Sequence, residues 1–433
     1  MKTSTSSTLL TLMTFFCAVH GALLPRKNGP LLLSGQQGNN TSAASPTPTS
    51  TTSSSPSSTA PTSTSSSSYA SIPVVPAQSL GAQASPTPST GTHNISSSYV
   101  PIPAAFVQNP NYNVKSDFDW QSIALAAHQE DIERAVFEFA LDNFTLSDYA
   151  DAGLNETDRA LIAFFAEQEI NHKTAFANML GDTSPAPCMY RFPFSDVRGF
   201  IEYAIDNTRW GESGTIGWIP LLDNRASGNI AIQAITTESR QQYTFRQWRG
   251  LFPTPVAFEP AIPQFYHWTL LSRDIVSCPS SNRPLAWPIL PALSITNQPA
   301  YPNLPPRITQ NDTGMTAPGQ VIQLAWDAPG RLQGPYNQTT STNASAPSHA
   351  LIFSQLNATA VPLNDVNLTA RTASIRQPFG VVFNNTAFDG VLNALVNGSV
   401  FISLVDDDSF YSPANISLVL NHTVAGPGLF HAS

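Results

Sequence analysis

Charge is scarce in this chain. Asp, Glu, Lys and Arg make up 11% of it, where a soluble domain ordinarily carries about a quarter. What charge there is leans acidic, with a formal net of -9 and a pI near 5.3. No basic patch stands out, so no nucleic-acid partner is expected. Long apolar runs are missing after the first residues, and none later could span a bilayer, so no membrane anchor is expected. The ending AGPGLFHAS lacks the hydrophobic tail of a lipid-anchor signal. Cysteine is nearly absent, with 3 in the chain. His128, His267, His349, His422 and His431 have no spaced partners that suggest a triad or a zinc site, and no hydrolase motif is present.

What the chain does have starts at its N-terminus. Met1-Lys2, an apolar run from Leu9 to Val19 and then Gly21-Ala22 read as a secretory signal peptide over residues 1–21. Residues 22–116 are dominated, from about Thr41 to Ser98, by Ser, Thr, Pro and Ala. Such a segment cannot bury enough apolar surface to fold, and it has the composition of a disordered linker or an O-glycosylated stalk. Cys17 leaves with the signal peptide. The remaining pair, Cys188 and Cys278, is expected to form a disulfide in an oxidising compartment, a reactive thiol or metal ligand being the alternative.

Residues 117–285 carry helical periodicity. The segment ALIAFFAEQEINHKTAFANML places Leu161, Phe165, Glu169, His172, Phe176 and Met179 on one face. Two of these are not apolar, and a buried carboxylate beside a buried imidazole is costly unless something pairs them. An earlier helix (WQSIALAAHQEDIERAVFEFAL, with Asp119 as its expected cap) lays Glu130 and Glu133 on a face with Ile123, Ala126, Phe137 and Ala140. Glu133 sits among apolar neighbours and is taken as inward; Glu130 is taken as a solvated edge position. A third helix from Ser195 or Asp196 puts Glu212 on its inward stripe. Gly211, Gly214 and Gly217 there either weaken it or let a neighbour pack closely. A fourth helix, NIAIQAITTESRQQYTFRQW, places Glu238 and Gln241 at i, i+3 on a face with Ala231, Ala234, Phe245 and Trp248. QFYHWTLLSRDIV reads as one further short helix.

The order is therefore Glu133, then Glu169 with His172, then Glu212, then Glu238 with Gln241. A di-metal carboxylate bundle calls for Glu, Glu-x-x-His, Glu, Glu-x-x-His. Every position but the last agrees, which predicts a ferritin-like four-helix bundle. The residues HQEDIERAVF, AEQEINHKTAF and ITTESRQQYTFRQ, with the later Cys278-Pro279, resemble the ferritin-like domain of plant desiccation-related proteins. They equally resemble secreted fungal proteins of the stress-response (Rds) and late-sexual-development type. The resemblance implies a metal set of Glu133, Glu169, His172, Glu212, Glu238 and Gln241, and a link to stress, nutrient depletion or sexual development. It implies no settled biochemical activity. Gln241 departs from the pattern, because an amide oxygen is a poorer ligand than an imidazole nitrogen. The sequence leaves open iron or manganese, one ion or two, or none; Arg134, Arg225 and Arg240 are the cations available to a metal-free cluster.

From residue 290 to 433 the pattern changes. VIQLAWDA, HALIFSQL, FGVVFNN, GSVFISLVD and NISLVLNHTV are short, β-branched and aromatic, and broken by Pro, Gly, Asn and Asp, as in a β-sandwich. The fold class is therefore α+β and multidomain. Sequons at Asn311, Asn337, Asn343, Asn357, Asn367, Asn384, Asn397, Asn415 and Asn421, with Asn143 and Asn155 in the helical part, suit a glycosylated extracellular or cell-wall protein. Two functions compete. One is a metal-binding protein, with oxidase-like activity if it is an enzyme at all. The other is a non-enzymatic stress or cell-wall protein with a relict site. In a third idea the β region binds cell-wall polysaccharide through Trp326 or Tyr336, although core packing suits Trp326 better. The oligomeric state is not encoded in any of these features.

Overall fold

Helix α1 (Asp117–Asn143) begins the ordered architecture, and Ser116 caps it by accepting from the Asp119 amide. Asp119 does not cap its own helix, contrary to expectation. Its buried carboxylate accepts from the amides of Asp223 and Asn224, 2.8 and 3.1 Å away, and so ties α1 to the start of the fourth long helix. The computed structural model describes residues 111–378, 381–383, 392–394 and 396–433, the two short middle stretches by backbone alone. The expected signal peptide, residues 22–110 and the Asn384 sequon lie outside the described residues.

A one-turn helix, α2 (Leu146–Asp151), precedes α3 (Glu156–Leu180). Asn155 and Asp158 close a reciprocal capping box at the start of α3, and Gly181 ends it at φ 58°, a left-handed conformation that glycine adopts without penalty. Asp196 caps α4 (Val197–Trp218), and Asn224 caps α5 (Arg225–Trp248). The last long helix is one turn longer at its start than its periodicity indicated. The glycines of α4 serve close approach: a Cβ on Gly217 would lie 2.0 Å from the Ile262 carbonyl oxygen, and one on Gly214 2.2 Å from His267 Nδ1. The segment they admit carries α6 (Gln264–Leu271). This helix is shorter than expected, because Ile275–Ser277 leaves it as a strand pairing with Met189–Tyr190. Cys188 and Cys278 are bonded beside that pairing.

Helices α1, α3, α4 and α5 form the bundle. Phe137, Phe165, Phe200 and Phe245, one from each, meet with ring centroids 5.5 to 6.4 Å apart. This aromatic layer lies one turn from the glutamates, since Phe137 follows Glu133 by four residues and Phe165 precedes Glu169 by four. Such spacing stacks side chains along one helix face.

The C-terminal region holds two four-stranded antiparallel sheets. One runs Leu293–Ile295, Val321–Trp326, Thr372–Arg376, Asn364–Asn367; the other runs Thr423–His431, Ser399–Val405, His349–Ser354, Asn357–Pro362. Ile322, Leu324, Trp326 and Ile375 of the first share a core with Ile352, Val400, Ile402 and Leu404 of the second. Trp326 is thus a core residue. The other face of the second sheet, through Leu351, Phe353, Phe401 and Val405, joins the core of the bundle. All seven residues of Ser399–Val405 are buried for that reason. Within NISLVLNHTV only the end is a strand. Ile416–His422 is a 3-10 helix, in which Ile416 and Val419 are buried while Leu418 is exposed. That burial has a period of three, where a strand would alternate.

Candidate metal centre

Glu130, Glu169, His172 and Glu238 come together in the middle of the bundle, with one ligand atom from each lying within 4.8 Å of all the others. Helix α1 supplies the first, α3 the next two and α5 the last. His172 Nδ1 stands 2.9 Å from Glu169 Oε2, 3.1 Å from Glu130 Oε2 and 3.8 Å from Glu238 Oε1. Its other nitrogen, Nε2, lies 3.0 Å from Thr237 Oγ1. The Thr237 hydroxyl donates to the Ala234 carbonyl at 2.7 Å, so it accepts from His172, and Nε2 carries a hydrogen. The ring is thereby fixed with Nδ1 facing the carboxylates, as an outer hydrogen bond does for a metal-binding imidazole.

Glu130 is not a solvated edge position. It is 3% exposed, and it rather than Glu133 completes the closest set of ligand atoms. Residues 119–133 of α1 are buried on every face, so helical period could not orient it. Glu133 is equally buried, and neither of its carboxyl oxygens has a hydrogen-bond partner. Gln129 lies near enough to favour its charged form slightly but falls short of hydrogen-bond geometry. Glu212 is buried on α4 with its Oε2 3.4 Å from Arg209 Nη1. Gln241 donates to Glu169 and, at 3.1 Å, to Gln168, while its own oxygen is unpartnered. Arg134 pairs with Glu138 at a half-exposed site, and Arg225 and Arg240 face solvent. The cation beside Glu212 is the buried Arg209, for which no spacing signal stood out beyond its place three residues before Glu212.

Electrostatics follow from burial. Desolvation lifts Glu130 from 4.5 to about 8, against the pull of His172. Desolvation also raises Glu133 and Glu238 well above the ordinary carboxylate range, and the neighbouring carboxylates push both further. Burial opposes charge on His172, but the hydrogen bonds and charges of Glu130 and Glu169 outweigh it and lift the imidazole to about 11. Without a metal, burial and mutual repulsion favour the neutral form of Glu130, Glu133 and Glu238, while the carboxylates around His172 favour its charged form.

Residues 116–251 match the family model described as "Ferritin-like domain". The chain is also 39% identical over 342 residues to "Protein rds1" of Schizosaccharomyces pombe, an alignment covering 75% of this chain and 83% of that protein. The chain belongs to the Rds1 family of ferritin-like proteins. In this Rds1-type chain the residues fit a hard divalent cation. Both oxygens of Glu133, Glu238 Oε2 and Gln241 Oε1 are buried with no hydrogen-bond partner. Carboxylates with one imidazole are the donor set that iron and manganese share.

Other groups lie away from this centre. Asp406, Asp407 and His422 form another set of neighbouring ligand atoms in the β region, which no spacing in the sequence connects. His128 lies 3.8 Å from the Cys188 sulfur. A groove of about 580 Å³ lined by Glu202, Tyr203, Asp206, Tyr301 and His431 does not reach the carboxylates. No helix of the described residues is long and apolar enough to cross a membrane.

Proposed function

We propose that this Rds1-type protein is a secreted glycoprotein whose bundle binds a first-row divalent metal, iron or manganese, through Glu130, Glu169, His172 and Glu238. The observation that carries the reading is the fixed His172 ring, its Nδ1 aimed at three carboxylates while Thr237 occupies Nε2. When bound, such an ion would supply one-electron redox chemistry and Lewis acidity. The chain's own part is to hold three carboxylates and an imidazole in one water-poor place. His172 is the group of the four nearest solvent, its side chain 13% exposed against 0 to 4% for the three carboxylates. The chain's resemblance to stress-response proteins supports a role under stress, and the signal-like N-terminus and exposed sequons support secretion.

A second reading has its own support. The Glu130–His172–Glu169 hydrogen bonds and the Gln241 amide on Glu169 also describe a metal-free polar core in a non-enzymatic wall or stress protein. Elemental analysis of protein secreted by a fungal host and purified without chelators separates the two. Stoichiometric iron or manganese, lost in Glu169→Ala and in His172→Ala, supports the first. A folded, metal-free wild type that takes up neither ion refutes it and leaves the polar core.

A further inference from the structure

The carboxylate-bridged bundle plan provides two cation positions, one beside each Glu-x-x-His pair. In this chain they are unequal. The position beside His172 has its donors gathered, one ligand atom each from Glu130, Glu169, His172 and Glu238 lying within 4.8 Å of all the others. The position beside Gln241 lacks the imidazole, and the amide nitrogen of Gln241 points at Glu169 as a donor. Its remaining carboxylate, Glu212, lies outside the closest set of ligand atoms and faces a guanidinium instead.

That guanidinium is Arg209, one helical turn before Glu212 and 2% exposed. It is anchored from two further elements: it pairs with Glu259 and donates to Gln242 of α5. An arginine keeps its charge at physiological pH. In a low-dielectric interior a fixed positive charge 3.4 Å from Glu212 Oε2 offsets that carboxylate's charge and repels a second divalent ion. We propose that the centre takes one divalent ion, beside His172, and that the Arg209 guanidinium is the built-in counter-charge of the second position. This rests on the metal-binding reading above. It makes a paired-metal, two-electron reaction with oxygen foreign to this chain, and confines the centre to single-ion chemistry.

The test is a manganese titration of chelator-stripped full-length protein, read by elemental analysis after dialysis and by electron paramagnetic resonance. One Mn2+ per chain with the resolved hyperfine pattern of an isolated ion is expected. Two tightly held ions with an exchange-coupled spectrum would overturn the inference while leaving metal binding intact. No bound ion would overturn both. Variants then assign the block. Gln241→His alone is expected to stay at one ion, and the pair Arg209→Met with Gln241→His to rise toward two. A second ion gained by Gln241→His alone would show that the missing ligand, and not Arg209, excludes it. If the double variant fails to fold, the wild-type count still decides the stoichiometry, and Gln241→His alone still tests whether the missing ligand is the block.

Discussion

Replacing Glu130 by Gln should stabilise the metal-free protein, and by an amount that depends on pH. Glutamine keeps the shape and an acceptor oxygen for His172 Nδ1, but it cannot ionise. Glu130 rises from 4.5 to about 8 on folding, chiefly through desolvation. The folded state therefore binds a proton that the unfolded state has released over that interval. For an acid raised in this way, stability is fully present below pH 4.5 and is lost as pH rises through 8. At pH 7 the proton uptake costs about 3 kcal/mol, and above pH 8 the loss levels off at about 5 kcal/mol. Urea unfolding of chelator-stripped wild type and Glu130→Gln at pH 5, 6, 7 and 8 should show a gap that opens steadily in favour of the variant. Adding Mn2+ should reverse the order, because the variant has lost a ligand. A gap of constant size across this range, or a variant less stable throughout, would refute the assignment of Glu130 as a buried carboxyl strained by the absence of metal.

Four further outcomes are expected. Burial holds His267 down at about 3, so its contribution is complete above pH 6.5 and is lost as pH falls toward 3, at up to about 1.4 kcal/mol per pH unit; His267→Gln should flatten acid unfolding in that window and not above it. Gly217→Ala should cost about 1 to 3 kcal/mol in thermal unfolding, because its Cβ meets the Ile262 backbone oxygen, whereas a net gain of about 1 kcal/mol, the ordinary helix preference of Ala over Gly, would show the segment can retreat. Breaking the Cys188–Cys278 link, which closes a separation of 90 residues, should cost up to about 4 kcal/mol; Cys188→Ser with Cys278→Ser, compared by denaturant unfolding, measures it. Among the sequons, Asn311, Asn337, Asn343 and Asn367 are exposed while Asn357 is 6% exposed within a strand, so glycopeptide mass spectrometry should find the four occupied and Asn357 bare.

The long helices were legible because α3, α4 and α5 each carry an interrupted apolar stripe at a period near four. Of the interruptions, Glu169, His172 and Glu238 lie in the cluster of ligand atoms, while Glu212 faces Arg209. Glu130 was misjudged because amphipathic reasoning needs a solvent face, and the middle of α1 has none. It is covered by its bundle neighbours and also by α6, which the α4 glycines let in close. Arg209 escaped notice for a related reason: a charge three residues before Glu212 reads as an ordinary surface neighbour until Glu259 and Gln242 are seen to enclose it. In the β region, alternation located Val321–Trp326 and His349–Ser354. It failed at Ile416–His422, whose β-branched composition suits a strand but whose burial follows a tighter turn. The partners of His422 were invisible in the sequence, since Asp406 and Asp407 lie some sixteen positions upstream on another element.

The strand Ser399–Val405 faces a second sheet on one side and the helices on the other, and this sets how the chain can be cut. An expression fragment stopping where the ferritin-like match ends would strip Tyr266, Phe353 and Phe401 from the bundle's core. It would leave a bare apolar wall where a soluble helical protein should have charged side chains. The four long helices are therefore not a portable cassette. A chimera that exchanges the helices has to exchange the facing sheet with them, because the two share one core.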